Sequence, residues 1–142
     1  MILLDVNVLL YAHNEESPDH EATRRWLDQI WVNDETVGLP WVSIWGFVRL
    51  ATNPRVWPNP RTPAQACAAM VKLLAQPNVV AVEPGARHLA LLERLMTAHG
   101  VAGPRTTDAV LAALAIEHGA TLATSDRHFT AFEGLKCVNP LA

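Results

Sequence analysis

Short apolar runs of strand length alternate along this chain with longer segments of helical period, and that alternation most limits the folds open to it. Ile2 to Leu4 is a strand ending at Asp5, and Val6 to Ala12 is apolar enough for a buried helix that begins at once. Between Glu21 and Trp31 the residues Ala22, Trp26, Leu27, Ile30 and Trp31 share one helical face, with Glu21 and Arg25 spaced for an i, i+4 ion pair. Thr36 to Pro40 forms a strand, Ser43 caps a helix reaching about Thr52, and Asn53-Pro54 stops it. Residues 53 to 61 carry too many prolines for regular structure and make the longest loop.

Thr62-Pro63-Ala64-Gln65 opens the next helix as a capping box with proline at its first position. Val79 to Val82 is a strand. The helix from Arg87 to His99 turns Leu89, Leu92, Leu95 and Met96 inward and ends at Gly100 in the left-handed region. Thr107 caps a helix to His118 that is apolar on every side and therefore buried, and Gly119 ends it. Ala120 to Ala123 and Leu135 to Val138 are the last strands, joined by a short helical turn around Asp126 to Phe132. The order predicts an α/β domain with helices on both faces of a mostly parallel sheet.

At 142 residues, half of them hydrophobic, the chain has enough length to bury one core, and a single domain is expected. The net charge of -3 provides no global attraction to nucleic acid, so any such contact has to come from a local basic patch or a metal. Cys67 and Cys137 lack the spacing of a thiolate metal site or a disulfide framework and read as buried free thiols. Met1-Ile2-Leu3-Leu4 leads straight into Asp5 without an export signal, and no apolar run reaches membrane-spanning length, so a cytoplasmic protein is expected.

Three acids stand at structurally similar places. Asp5 lies where a strand gives way to a helix, Asp126 follows another strand, and Asp108 sits in the first turn of the buried helix. Ligand sites of open α/β sheets form at the carboxyl ends of strands. Carboxylates converging there repel one another unless a cation intervenes, and magnesium takes oxygen ligands while keeping waters for substrate phosphate. Each acid also has a structural explanation. A helix dipole favours Asp108, and Asp126 caps the turn after it. Asp5, between Leu4 and Val6, is harder to explain in that way, because a partly buried carboxylate needs compensation.

Asp5-Val6-Asn7-Val8-Leu9-Leu10-Tyr11-Ala12, Thr107-Asp108-Ala109 and Thr124-Ser125-Asp126-Arg127, in this order, resemble the PIN domain. Arg49-Leu50-Ala51-Thr52-Asn53-Pro54, Phe132-Glu133-Gly134-Leu135 and Val138-Asn139-Pro140 resemble the VapC toxins of bacterial toxin–antitoxin pairs, particularly the mycobacterial type. The resemblance covers essentially the whole chain. It implies a three-layer α/β/α domain and a magnesium-dependent endoribonuclease, with manganese as a substitute, restrained by a cognate VapB-type antitoxin. It also implies that Asp5, Asp108 and Asp126 bind the metal and carry catalysis, with Asn7, Thr124 and Ser125 supporting them.

The pattern is broken at Gly46, where PIN nucleases typically carry Glu, and at His128, where many relatives place another acid. With Ser43 as cap, Gly46 falls where a capping-box Glu is expected, and glycine within a helix costs about 1 kcal/mol relative to alanine. Three readings stand open. Water and phosphate complete the metal shell, or Glu15 or Glu16 reaches the site, or catalysis is weakened and a protein that binds antitoxin and RNA remains.

Arg49, Arg55, Arg61, Arg105 and Arg127 are candidates for an RNA path, with Trp57 available to stack on an unpaired base. The other tryptophans, Trp26, Trp31, Trp41 and Trp45, suit a homodimer surface or an antitoxin groove, and core packing accounts for Trp26 equally well. The histidines form no metal site, with His13 and His20 in the loop after the first helix. A haloacid-type phosphatase needs a second aspartate where Asn7 stands, and a phosphoacceptor receiver needs paired acids and a late lysine that are missing.

Overall fold

The computed structural model describes all 142 residues. Five strands, β1 (Ile2–Leu4), β2 (Val37–Pro40), β3 (Val79–Val82), β4 (Thr121–Ala123) and β5 (Lys136–Val138), form one sheet in the order β3-β2-β1-β4-β5. Every neighbouring pair is parallel. The six helices are α1 (Val6–His13), α2 (His20–Val32), α3 (Trp41–Ala51), α4 (Pro63–Leu74), α5 (His88–His99) and α6 (Thr106–Glu117).

Successive strand residues face opposite sides, and this divides the core in two. Leu3, Val82 and Leu122 pack with Leu91 and Leu95 of α5 and the Leu111–Ala115 stretch of α6. Leu4, Val37, Leu39, Val79 and Ala123 pack with Val8, Leu27, Phe47 and Met70 from α1 to α4. The result is the expected three-layer α/β/α arrangement. From β1 the chain steps through β2 to β3 with α1 to α4 on one face. It then returns by α5 and α6 on the other face to lay β4 on the free side of β1. The strand order therefore reverses between β1 and β4, the place where such sheets form their sites.

Several local expectations hold in detail. Thr62 and Gln65 form the reciprocal capping box, at 3.2 and 2.9 Å. Gly100 and Gly119 take φ values of 62° and 61° beyond their helices.

Others are corrected. The α3 helix begins at Trp41 directly from β2, with Pro40 in the capping position, so Ser43 is not the cap. The Ser43 hydroxyl is instead buried without a partner, because the strand runs into the helix with no intervening loop. Gly46 is consequently in the sixth helical position, and the capping-box account of it falls. Likewise α6 starts at Thr106, fed by a 3-10 turn at Gly103–Arg105 that leaves no gap for Thr107 to cap. Leu89 is 75% exposed because the buried stripe of α5 centres on Leu91 and Leu95, placing Leu89 at its margin in the first turn. Glu21 and Arg25 form no ion pair, since an exposed pair gains too little to order two long side chains. Both cysteines are free, yet Cys67 is exposed on α4 and Cys137 only half-buried.

Candidate active site

Asp5 ends β1 and caps α1. Its backbone N–H donates to Ala123 of β4 at 3.0 Å, which fixes the residue at the reversal point of the sheet. The side chain is 5% exposed, and its Oδ1 accepts the Val6 N–H at 2.7 Å. Oδ2 accepts from the Thr124 hydroxyl at 2.7 Å and from Asn7 Nδ2 at 3.2 Å. Thr124 Oγ1 in turn accepts the Asp126 N–H at 3.0 Å, while Ser125 N–H donates to Asn7 Oδ1 at 3.4 Å. One threonine hydroxyl, the first residue beyond β4, thus couples the acid of β1 to the acid after β4.

Burial pushes the Asp5 carboxyl above its ordinary value. The bonds from Thr124 and Val6 oppose that rise, and the charges of Asp108 and Asp126 add to it. Asp108, in the first turn of α6, is raised by partial burial and then by the Asp126 charge, against the pull of Arg105 and His128. Arg105 Nε stands 3.8 Å from Asp108 Oδ2. Asp126 caps the turn Arg127–Ala131, its Oδ1 accepting the His128 N–H at 2.9 Å with the His128 ring nitrogen Nδ1 at 2.8 Å. Asp5 and Asp108 are thus each pushed up by acids from other elements, as carboxylates brought near one another are.

The donors are all carboxylate oxygens, which suits a hard divalent cation. They do not come together as a group of three able to hold a metal ion by themselves. Glu16 accepts from Asn59 at 3.2 Å, and the carboxylates whose charge acts on Asp5 are Asp108 and Asp126.

Gly46 has a packing explanation that sequence could not supply. A Cβ built on it meets Val6 Cγ2 at 3.0 Å, so the residue lets α3 approach the first turn of α1 beside Asp5. Replacement by alanine should leave stability nearly unchanged in a thermal melt, because roughly 1 kcal/mol of helix propensity is offset by crowding against Val6.

Arg49, Arg55 and Arg127 are exposed, and Arg105 is exposed beside Asp108. Arg61 has a different role. Its Nη2 donates to the His13 carbonyl at 2.7 Å, and its guanidinium covers the Trp57 ring 5.4 Å from the centroid. Trp57 is 6% exposed within the core, so it cannot stack on RNA. The proline-rich loop folds the ring inward, where its apolar area is worth more than on the surface.

His13 and His20 are not loop residues but the last of α1 and the first of α2. Burial, followed by the charges of Arg61, Arg24 and His20, holds His13 below the usual histidine value, and Nδ1 donates to the Leu9 carbonyl at 2.7 Å. His13 opens onto a groove of about 610 Å³ between α2 and α4, lined also by Arg24, Arg61, Lys72, Trp31 and Leu73 and by no carboxylate. Sequence reasoning overlooked this groove. Its only sign there is the placing of Arg24 and Lys72 on two amphipathic helices that meet only in three dimensions.

Residues 2–135 match the family model of the PIN domain. The chain belongs to the PIN-domain family. Within that family it is 40% identical over 142 residues to Ribonuclease VapC37 of Mycobacterium tuberculosis, covering 100% of this chain and 99% of the relative. Among solved structures, this PIN domain resembles VapBC2 from Rickettsia felis bound to a DNA fragment from its promoter, with a TM-score of 0.73 at 18% identity and 98% of each chain covered. It also resembles VapC20 of Mycobacterium tuberculosis, described as a sarcin-ricin loop cleaving toxin, with a TM-score of 0.68 at 16% identity, covering 92% of this chain and 94% of that one. These two likenesses bear on the fold. No helix of the PIN domain is long and apolar enough to cross a membrane.

Proposed function

We propose that this PIN domain is the toxin of a toxin–antitoxin pair and hydrolyses RNA phosphodiester bonds as a metal-dependent endoribonuclease. The observation that carries the proposal is the buried Asp5 carboxylate at the β1–β4 reversal, held by Thr124 and crowded by the charges of Asp108 and Asp126. The naming of its 40%-identical relative as a ribonuclease supports the same reading. Magnesium, or manganese in its place, supplies Lewis-acid polarisation of water and phosphate when bound. Asp5 and Asp108 hold it, and Asp126 holds it directly or through water. Thr124 and Asn7 keep the Asp5 carboxylate in one orientation, as supporting groups of a metal site do. Exposed Arg49, Arg55, Arg105 and Arg127 attract the RNA backbone and draw its phosphates toward the acids. Purified, antitoxin-free protein tests this by cleaving RNA with magnesium present and not after chelation.

A weakened nuclease that chiefly binds antitoxin is the second reading, favoured by the absence of a carboxylate at Gly46 on α3. Comparing Gly46→Glu with Gly46→Ala and the native protein separates the two. We expect Gly46→Glu to cleave no faster than the native protein, because water and phosphate complete the shell. A large gain specific to Glu would favour the second reading.

The groove between α2 and α4 suits the antitoxin. Its three cations face no carboxylate, and Trp31 and Leu73 add apolar surface, so an acidic amphipathic segment fits it. Reversing Arg24 and Lys72 together to Glu should weaken the antitoxin complex at least about tenfold in a titration at moderate salt. Unchanged affinity would remove this groove from the interface. Trp45, 65% exposed beside Trp41, supplies an aromatic surface suited to a homodimer.

A further inference from the structure

A smaller cavity adjoins Asp126. It measures about 180 Å³ and is open between the turn after β4 and the end of β5. Ser125, Asp126, Arg127 and Thr130 form one wall, and Cys137 and Asn139 form the other. This is smaller than the roughly 300–1,000 Å³ of clefts that take drug-sized ligands, which suits a single planar nucleobase. Cys137 offers a soft apolar surface, since burial keeps its thiol protonated.

Apart from the Asp126 carboxylate, whose Oδ1 is taken by His128 and whose charge acts on Asp108, the side chains around the cavity lean toward donation. Asn139 spends its Oδ1 on the Leu141 N–H at 2.9 Å, leaving its amide NH₂ uncommitted. Arg127 forms no ion pair, and its carbonyl is already taken by the Thr130 hydroxyl at 2.8 Å. Two donors facing a ring-sized cavity select a base edge with two adjacent acceptors and no donor. The O6 and N7 edge of guanine has that pattern, whereas adenine pairs its N7 with a donor. Single-stranded RNA presents its bases to proteins in this splayed manner, read on such edges.

We infer that this cavity is a base-specificity subsite, seating one guanine next to the scissile phosphodiester, with Arg127 and Asn139 reading its acceptor edge. The inference rests on the proposed ribonuclease activity and adds the base that activity selects. Because Asp126 lines both the cavity and the acidic site, a base seated here brings its own phosphate alongside the acids.

The test is to cleave a randomised single-stranded RNA pool with magnesium present and sequence the ends produced by the native protein, Asn139→Ala and Arg127→Gln. The expected result is guanine enriched at one position flanking the cut, with the preference over the other bases falling about tenfold in either variant, cleavage persisting in Asn139→Ala and falling overall in Arg127→Gln, whose charge also draws the RNA backbone. Melting temperatures near that of the native protein would establish that both variants fold. Cleavage with no base preference at the flanking positions, with a preference for another base, or with a guanine preference that survives both substitutions would overturn the subsite alone. Absence of all cleavage by the native protein would overturn the ribonuclease reading and the subsite with it.

Discussion

Asp5→Asn is expected to lose RNA cleavage by more than the roughly 10–100-fold that removing a supporting group of a metal site costs, while the fold survives. Asparagine matches the shape and keeps an oxygen for the Val6 N–H, at the cost of the bond from Asn7 Nδ2, which then meets an amide NH₂. The same variant should also alter stability in the opposite sense. The folded-state carboxyl of Asp5 lies above its unfolded value of 3.8, as does that of Asp108, so folding takes up protons there. Their favourable contribution is fully present below pH 3.8 and is lost as pH rises through the folded-state values. Metal-free native protein is therefore penalised at neutral pH, and magnesium should raise its melting temperature. Asp5→Asn should show a smaller penalty and a smaller magnesium response. A variant that cleaves normally, or that responds fully to magnesium, would remove Asp5 from the site.

Thr124→Val should produce the second large effect. The substitution keeps the shape but removes the hydroxyl that donates to Asp5 and accepts the Asp126 N–H. A buried carboxylate then loses its shortest side-chain bond, at a cost of about 1–3 kcal/mol in stability, and its pKa rises further. Magnesium affinity, read from the metal dependence of cleavage or of melting, should fall about 10–100-fold. Thr124→Ser restores the hydroxyl and should return most of both quantities. If Val and Ser behave alike, the hydroxyl does not couple the two acids.

Much of the sheet was legible in the sequence because its strands are short apolar runs that alternate with longer segments of helical period. Leu4 followed by Asp5 announces both the end of a strand and a carboxylate at the edge of the core. Thr62 to Gln65 was equally readable, since a capping box is a contact within four residues. Errors arose wherever the deciding contact was distant. Ser43 has the chemistry of a cap, yet the position of β2 starts the helix three residues earlier and leaves the hydroxyl in the core. Trp57 sits in a proline-rich loop that looks solvent-facing, and only the packing of α1 to α4 shows that its ring is enclosed. Gly46 resembled a missing acid, while Val6, forty residues away in sequence, explains why a side chain is crowded there. The acids themselves could be named from their positions, but their tethering by Thr124, Arg105 and His128 depends on the folded chain.

Cleavage of RNA by purified, antitoxin-free protein, treated with chelator and then titrated with magnesium and separately with manganese beside Asp5→Asn, tests the metal-dependent site most directly. The acids at the β1–β4 reversal predict no cleavage in chelator, cleavage restored by either cation, and none at any concentration from the variant. Cleavage that persists in chelator, or that Asp5→Asn retains, or that no cation restores, would contradict them.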